Sequence, residues 1–392
     1  MPSFKVPTET VYGWGCAGEV GPRAVQDGYR SVLLVTDRGV RRAGLTQAVE
    51  RSLREAGIAY AIFDAISPNP RDVEAEECLS AIEGTAAELL VAVGGGSTID
   101  AAKAAGVLQT NGGRVRDWSL LMGGPVPPSP AMPLYALPTT TGTGSETSGG
   151  AVITFDFGGE GGKARKGGVS NCQPALAFLD PELVVGLPAP ILAASGLDAL
   201  THATESYVSL HGSMFTRAFS AQAIRTLARV LPAAVAAAKT PGADRRDTME
   251  QMLYAANVAG RSMLGRLGQV HALSHVVSAH FDTVHGSTNA VILTSVLAHH
   301  QAALRPLLAE IGYLLGDPAC APGSDAAAAA GRAIDAIARL RESVGAPARL
   351  RDMNVPREAL PMLAADAMLP EPNQNPGPAT QDDFLAIYER AW

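Results

Sequence analysis

Apolar residues follow two different rhythms along this chain. In the first half they form short unbroken runs at residues 31–36, 58–63, 88–93 and 134–137, bounded by Gly, Pro or Asp. Between the runs lie stretches with apolar positions every three to four residues: about 40–56, the segment from the Ser67-Pro68-Asn69-Pro70 turn to about Ile82, and the residues after Gly96. Unbroken apolar strands alternating with amphipathic helices predict a doubly wound parallel sheet, because crossover helices cover both its faces. After Asp180-Pro181 the strand signals nearly vanish. Long Ala- and Leu-rich periodic segments near 190–210, 214–238, 246–264, 268–281, 287–303 and 325–344 predict an all-α region instead. Pro188 and Pro190 punctuate the change, which places a boundary at about 185 between an α/β domain (1–185) and a helical domain (186–392). A length of 392 residues also favours two cores over one.

Composition narrows the function classes. A net charge of -7, spread along the chain, excludes the basic field that nucleic acids require. No stretch approaches the ~20 apolar residues of a membrane span, and the N-terminus carries no apolar targeting core. Cys16, Cys78, Cys172 and Cys320 form no CxxC pair, so reduced, buried thiols in a cytoplasmic protein are expected.

Two glycine-rich segments compete as a dinucleotide-binding loop. Gly13-Trp14-Gly15-Cys16-Ala17-Gly18 matches GxGxxG literally, but the strand before it is weak and follows Pro7, so it reads better as a plain turn. Gly94-Gly95-Gly96-Ser97-Thr98-Ile99-Asp100 follows a convincing strand and opens a helix, so free N–H groups and the positive helix end would face one anionic ligand. The pyrophosphate is expected there, with Ser97 as helix cap. Asp37, ending the 31–36 strand, can accept from both hydroxyls of an adenosine ribose and repel a 2′-phosphate, which favours NAD over NADP; capping the next helix is its other reading. A loop with many hydroxyls, Pro138-Thr139-Thr140-Thr141-Gly142-Thr143-Gly144-Ser145-Glu146, suits contact with a sugar or phosphate, and no Gly-x-Ser-x-Gly elbow makes Ser145 a nucleophile.

A metal is the second expected ligand. Four of the chain's eight histidines, His271, His275, His280 and His285, fall within fifteen residues. His271 and His275 share a helical face at i,i+4, and Asp198 and His202 repeat that spacing upstream. Any one of these in an apolar helix could be a satisfied core group; two such pairs with His285 beside Gly286 point to one divalent ion. Nitrogen and oxygen donors without cysteine suit catalytic Fe2+ or Zn2+ rather than structural zinc.

These motifs resemble the iron-containing (group III) alcohol dehydrogenases over nearly the whole chain. Asn69-Pro70, the Gly94–Asp100 segment with Lys103, the Pro138–Glu146 loop, Asp180-Pro181-Glu182-Leu183, Gly196-x-Asp198-Ala199-Leu200-x-His202, His271-Ala272-x-x-His275 and His285-Gly286 occur in family order. The resemblance implies a Rossmann-like domain, a helical domain, NAD(P) in the cleft between them and a homodimer. It assigns Asp198, His202, His271 and His285 to the metal, and His275 to proton relay near the nicotinamide. It assigns Asp37, Asn69, Gly94, Gly95, Gly96, Ser97, Asp100, Thr139, Thr140 and Thr143 to the cofactor, and Lys166, with Lys163 as rival, to the nicotinamide ribose. Val276, His280, Val284 and Gly377 depart from the family pattern, which suggests a non-standard substrate pocket.

The expected activity is therefore hydride transfer between NAD and a small alcohol, aldehyde or ketone whose oxygen the metal polarises. Maleylacetate reductase-like or hydroxyacid–oxoacid transhydrogenase chemistry is the alternative within oxidoreductases. A dehydroquinate synthase-like lyase, for which Lys163, Arg165 and Lys166 would supply a basic pocket, and a non-catalytic metal- or nucleotide-binding protein are the alternatives outside that class.

Overall fold

The computed structural model describes residues 4–157, 164–369 and 373–392 and divides into two compact units. The first comprises residues up to Thr140 together with Gly144–Gly186; the second comprises Thr141–Thr143 and Leu187–Trp392.

Unit 1 is built on six parallel strands: β1 (Glu9–Tyr12), β2 (Ser31–Val35), β3 (Ala59–Phe63), β4 (Leu89–Gly94), β5 (Leu134–Pro138) and β8 (Leu176–Leu179), in the order β1-β8-β5-β4-β2-β3. Helices α1 (Val20–Gln26), α2 (Arg38–Arg42), α3 (Gln47–Glu55), α4 (Asp72–Thr85) and α5 (Gly96–Asn111) provide the crossovers. The continuous apolar runs have the meaning expected of a sheet covered twice. In β2, Val32 and Leu34 join one core with Val91 and Leu137, while Leu33 and Val35 join another with Leu90 and Ala136. Chain order reverses where β2 and β4 pair, so the C-terminal ends of these two strands form the switch point at which such sheets bind ligands. Asp37 and Gly94–Gly96 stand at those ends.

A separate antiparallel pair, β6 (Ala151–Asp156) with β7 (Ala164–Val169), and the sheet strand β8 lie outside the expected runs, although β6 reads Ala-Val-Ile-Thr-Phe-Asp, a β-branched and aromatic segment. The strand β8 has only four residues, and β7 reads Ala-Arg-Lys-Gly-Gly-Val, without the apolar run that reveals β2 and β4. The expected helix at 40–56 is broken into α2 and α3 at Gly44, whose φ of 77° needs glycine.

The glycine turn at Gly13–Gly18 is an internal clamp. Gly15 N and Ala17 N donate to the Asp180 carboxylate at 3.0 and 2.9 Å, and Glu182 N donates to it at 3.0 Å. Those amides serve the fold. Ser97 likewise departs from expectation: α5 is capped at Gly95, and Ser97 lies in the first turn, where its Oγ accepts from Asn69 N at 3.3 Å.

Unit 2 is all helix in its regular elements: α6 (Ala189–Val208), α7 (Met214–Lys239), α8 (Arg246–Ser262), α9 (Gln269–Phe281), α10 (His285–His299), α11 (Gln301–Leu314), α12 (Ala326–Ser343), α13 (Leu360–Asp366) and α14 (Gln381–Ala391). The expected helix at 287–303 is two helices that break at His300. Helix α6 is the central one, buried from Leu192 to Val208, which its small and apolar residues permit on all sides. No described helix is long and apolar enough to cross a membrane.

Asp180→Ala should strand the buried amide of Ala17 and release the partly buried amide of Gly15, at a cost on the order of 2 kcal/mol. Urea denaturation checks this; an unchanged midpoint would show that the clamp contributes nothing.

Candidate metal centre

Close backbone approach creates the site in unit 2. Helix α10 begins against α6 so tightly that a Cβ on Gly286 would fall 2.1 Å from Ala194 O. Glycine there lets His285 stand beside Asp198. The threonine-rich loop approaches α6 the same way, since a Cβ on Gly142 would fall 2.0 Å from Ser195 O. The Gly142 carbonyl consequently lies 3.1 Å from His202 Nδ1.

Asp198 Oδ1 is the centre of the cluster. His202 Nε2 lies 3.7 Å from it, His271 Nε2 3.6 Å and His285 Nε2 3.9 Å. The ligand atoms of Asp198, His202 and His271 all lie within 4.8 Å of one another, and all three side chains are buried. His202 and His271 stack with ring centroids 4.6 Å apart, and His285 stands edge-on to His271 at 5.3 Å. Each imidazole presents Nε2 to the carboxylate because its Nδ1 is engaged elsewhere: His202 with Gly142 O, His271 with Glu205 Oε2, and His285 with Ser274 Oγ at 3.3 Å. Such partners on the second nitrogen fix tautomer and ring orientation in metal-binding histidines.

The electrostatics favour added positive charge. Burial raises the Asp198 carboxyl, but His202, His271 and His285 outweigh it and hold the group below the usual carboxylate range. Burial lowers the His271 imidazole, yet Glu205 and Asp198 outweigh that and push it up to about 9. Burial pushes His202 down. The Asn289 amide nitrogen sits among the converging atoms, 2.8 Å from Asp198 Oδ1 and 3.1 Å from both His271 Nε2 and His285 Nε2, while its own buried Oδ1 has no hydrogen-bond partner. A carboxylate and three imidazole lone pairs converging in a buried space suit a divalent cation in place of a proton on His271 Nε2. The donor set fits the ion.

His275 is on the same side, its ring 5.0 Å from His285 and 6.0 Å from His271. His280 is elsewhere, with Nε2 2.8 Å from Asp366 Oδ2 on α13. Glu205, Asn289 and Gly142 were missed in the sequence. Glu205 follows Asp198 by seven residues and Asn289 follows His285 by four, so helical spacing carried a signal for both; nothing local marked the Gly142 carbonyl.

In unit 1 the remaining residues gather around the strand ends. Asp37 Oδ1 accepts from Gly39 N and Val40 N, capping α2, while Oδ2 faces Thr98 Oγ1 at 3.5 Å. Thr139 N donates to Gly94 O at 2.9 Å, and Thr140 lies against Gly95. Lys166 Nζ donates to Asn69 Oδ1 at 2.8 Å, which joins Lys166, Asn69 and Ser97 in one hydrogen-bonded row. Lys163 lies outside the described residues. Asp100 turns inward: its Oδ2 accepts from Val152 N at 2.9 Å, and burial pushes its carboxyl up. Thr143 packs with unit 2.

A doubly wound sheet with a glycine-rich turn at its switch point, together with a helical unit in which His285 stands beside the buried cluster of Asp198, His202 and His271, suits a nucleotide-linked metalloenzyme. Comparison with known proteins makes this specific. Residues 7–181 match the model described as "Iron-containing alcohol dehydrogenase", and residues 192–392 match "Fe-containing alcohol dehydrogenase family, C-terminal". The NAD-dependent methanol dehydrogenase of Bacillus methanolicus is 37% identical, with all of both chains covered. The 1,3-propanediol dehydrogenase of Klebsiella pneumoniae is 35% identical over 100% of this chain and 99% of its own length. The crystal structure of a 1,3-propanediol oxidoreductase superposes with a TM-score of 0.91 at 34% identity over the whole of both chains. This chain belongs to the iron-containing alcohol dehydrogenase family, and it is an oxidoreductase acting on alcohol CH–OH groups. The lyase and non-catalytic readings are thereby set aside.

Gly286→Ala should force α10 away from α6 and displace His285, lowering bound metal by about tenfold after dialysis against a weak chelator. Elemental analysis of folded protein checks this; full metal content would contradict the role assigned to the close approach.

Proposed function

We propose that the enzyme is an NAD-dependent alcohol dehydrogenase, working as an aldehyde or ketone reductase in reverse, with one divalent metal held by Asp198, His202, His271 and His285. The observation that carries this reading is the common aim of three imidazole Nε2 atoms at one carboxylate oxygen, with each Nδ1 engaged elsewhere. When bound, the ion supplies Lewis acidity to the substrate oxygen, and the nicotinamide gives or takes the hydride. The family's description favours iron, and the nitrogen–oxygen donor set suits Fe2+ or Zn2+.

The chain's own residues bind, orient and move a proton. Amides of Gly94, Gly95, Gly96 and Ser97 at the start of α5 hold the pyrophosphate, with Thr139 and Thr140 beside them and Thr143 further along the same loop. Asp100 supports that turn from within by tying α5 to β6. Asn69 and Lys166, already paired, hold the nicotinamide ribose. Asp37 caps α2 through Oδ1, while Oδ2 takes only a long 3.5 Å hydrogen bond from Thr98 Oγ1, and that carboxylate selects the ribose hydroxyls of NAD and disfavours a 2′-phosphate. His275 relays the proton of the reacting hydroxyl. Relatives named for methanol and 1,3-propanediol point to short alcohols and their carbonyl products as substrates. The reading includes a cytoplasmic homodimer; free, buried cysteines support a reducing compartment.

Asp198→Ala should lower kcat by at least about a thousandfold, since several kcal/mol of stabilisation of the substrate oxygen is lost. An NADH-oxidation assay on short aldehydes checks this; turnover within tenfold of the parent enzyme would refute the metal-dependent reading. Asp37→Ser keeps an oxygen to cap α2 and removes the charge. It should raise the NADPH-to-NADH ratio of kcat/KM by on the order of tenfold, a difference of about 1.4 kcal/mol; an unchanged ratio would remove Asp37 from cofactor selection.

A further inference from the structure

Glu205, the partner of His271 Nδ1, is a buried acid two turns along α6 from Asp198. Asp198, His202 and Glu205 follow one another at intervals of four and three residues and so project from one face of the helix. Glu205 is only 3% exposed. Its Oε1 accepts from Gly268 N at 3.1 Å and Val270 N at 2.8 Å, the free amides at the start of α9, and its Oε2 hydrogen-bonds His271 Nδ1. Gly268 makes room for this contact: a Cβ there would fall 2.5 Å from Asn375 O and 3.1 Å from Glu205 Oε1. A buried carboxylate is costly, and here each oxygen is used with a definite polarity.

We propose that Glu205 is a positioning residue of the metal centre: anchored on the first amides of α9, it accepts the Nδ1 proton of His271 and so keeps the Nε2 lone pair of that ring facing the ion. The proposal rests on the metal reading above and deepens it. It differs from a simple helix-capping role in one respect. Glutamine has nearly the same shape, and its amide oxygen can still accept from Gly268 N and Val270 N. Its NH2 group would then face His271 Nδ1. A donor at that position requires Nδ1 to accept, which moves the proton to Nε2 and blocks the ligand atom. The opposite amide orientation restores the His271 contact only by turning NH2 toward two N–H donors.

The test compares E205Q with the parent protein, each stripped of metal, in competition titrations of Co2+ against a chromophoric chelator. The visible spectrum of the Co2+ complex and the melting temperature of the metal-free protein are recorded alongside. The expected result is a metal-free melting temperature near that of the parent, Co2+ affinity weaker by about 10- to 100-fold and an altered visible spectrum. Co2+ affinity within twofold of the parent, with the same spectrum, would overturn the proposal and leave Glu205 a structural cap. Failure of the parent protein to take up Co2+ would overturn the metal reading itself, and this proposal with it. Should E205Q not fold, ring-nitrogen shifts of the 15N-histidine-labelled parent loaded with Zn2+ carry the test. A proton on Nδ1 of metal-bound His271 is expected, and His271 bound through Nδ1 would overturn the proposal.

Discussion

A carboxylate buried between helices needs compensation, and the arrangement of unit 2 follows from how Asp198 obtains it. Taking Asp198 out of water carries a large desolvation cost. The surrounding structure answers with imidazoles from α6, α9 and α10, which reach one oxygen from separate directions. Those helices must come closer than side chains normally allow. Two glycines make this possible: Gly286, where α10 meets α6, and Gly142, where the threonine-rich loop meets α6. Backbone approach, side-chain charge and metal chemistry are thus one constraint viewed at three scales.

Each histidine is also held from behind, by a different kind of partner. His202 uses a backbone carbonyl, His285 a serine hydroxyl and His271 a carboxylate. The carboxylate is the strongest of these partners, and it belongs to α6, the helix that supplies Asp198 and His202. In the proposed centre, one face of one helix would therefore carry two ligands and the support for a third.

Much of this was legible in the sequence, and what escaped has physical reasons. The strands β2, β4 and β5 announce themselves because a sheet covered on both faces needs unbroken apolar runs. The strands β7 and β8 do not, β7 being rich in glycine and charge and β8 only four residues long, whereas β6 carries a legible β-branched and aromatic run, Ala-Val-Ile-Thr-Phe. The Asp198–His202 and His271–His275 pairs were legible because helical i,i+4 spacing places each pair on one face; the proposed choice of His285 rather than His275 beside them is what the family resemblance implies. Glu205 was not singled out, because an acid in a helix usually faces solvent, and only the coordinates reveal that this one faces His271. The same limit applies to the literal GxGxxG at Gly13–Gly18. Its spacing is right, but Asp180 takes its amides, a contact across more than 160 residues that no local pattern encodes.

The central claim is that one ion is bound by imidazole nitrogen and carboxylate oxygen alone. X-ray absorption at the K-edge of the iron- or zinc-loaded protein tests it most directly. The account predicts nitrogen or oxygen neighbours at about 2.0–2.2 Å with outer-shell scattering from three imidazoles. Sulfur among the neighbours, or scattering from fewer than two imidazoles, would contradict it.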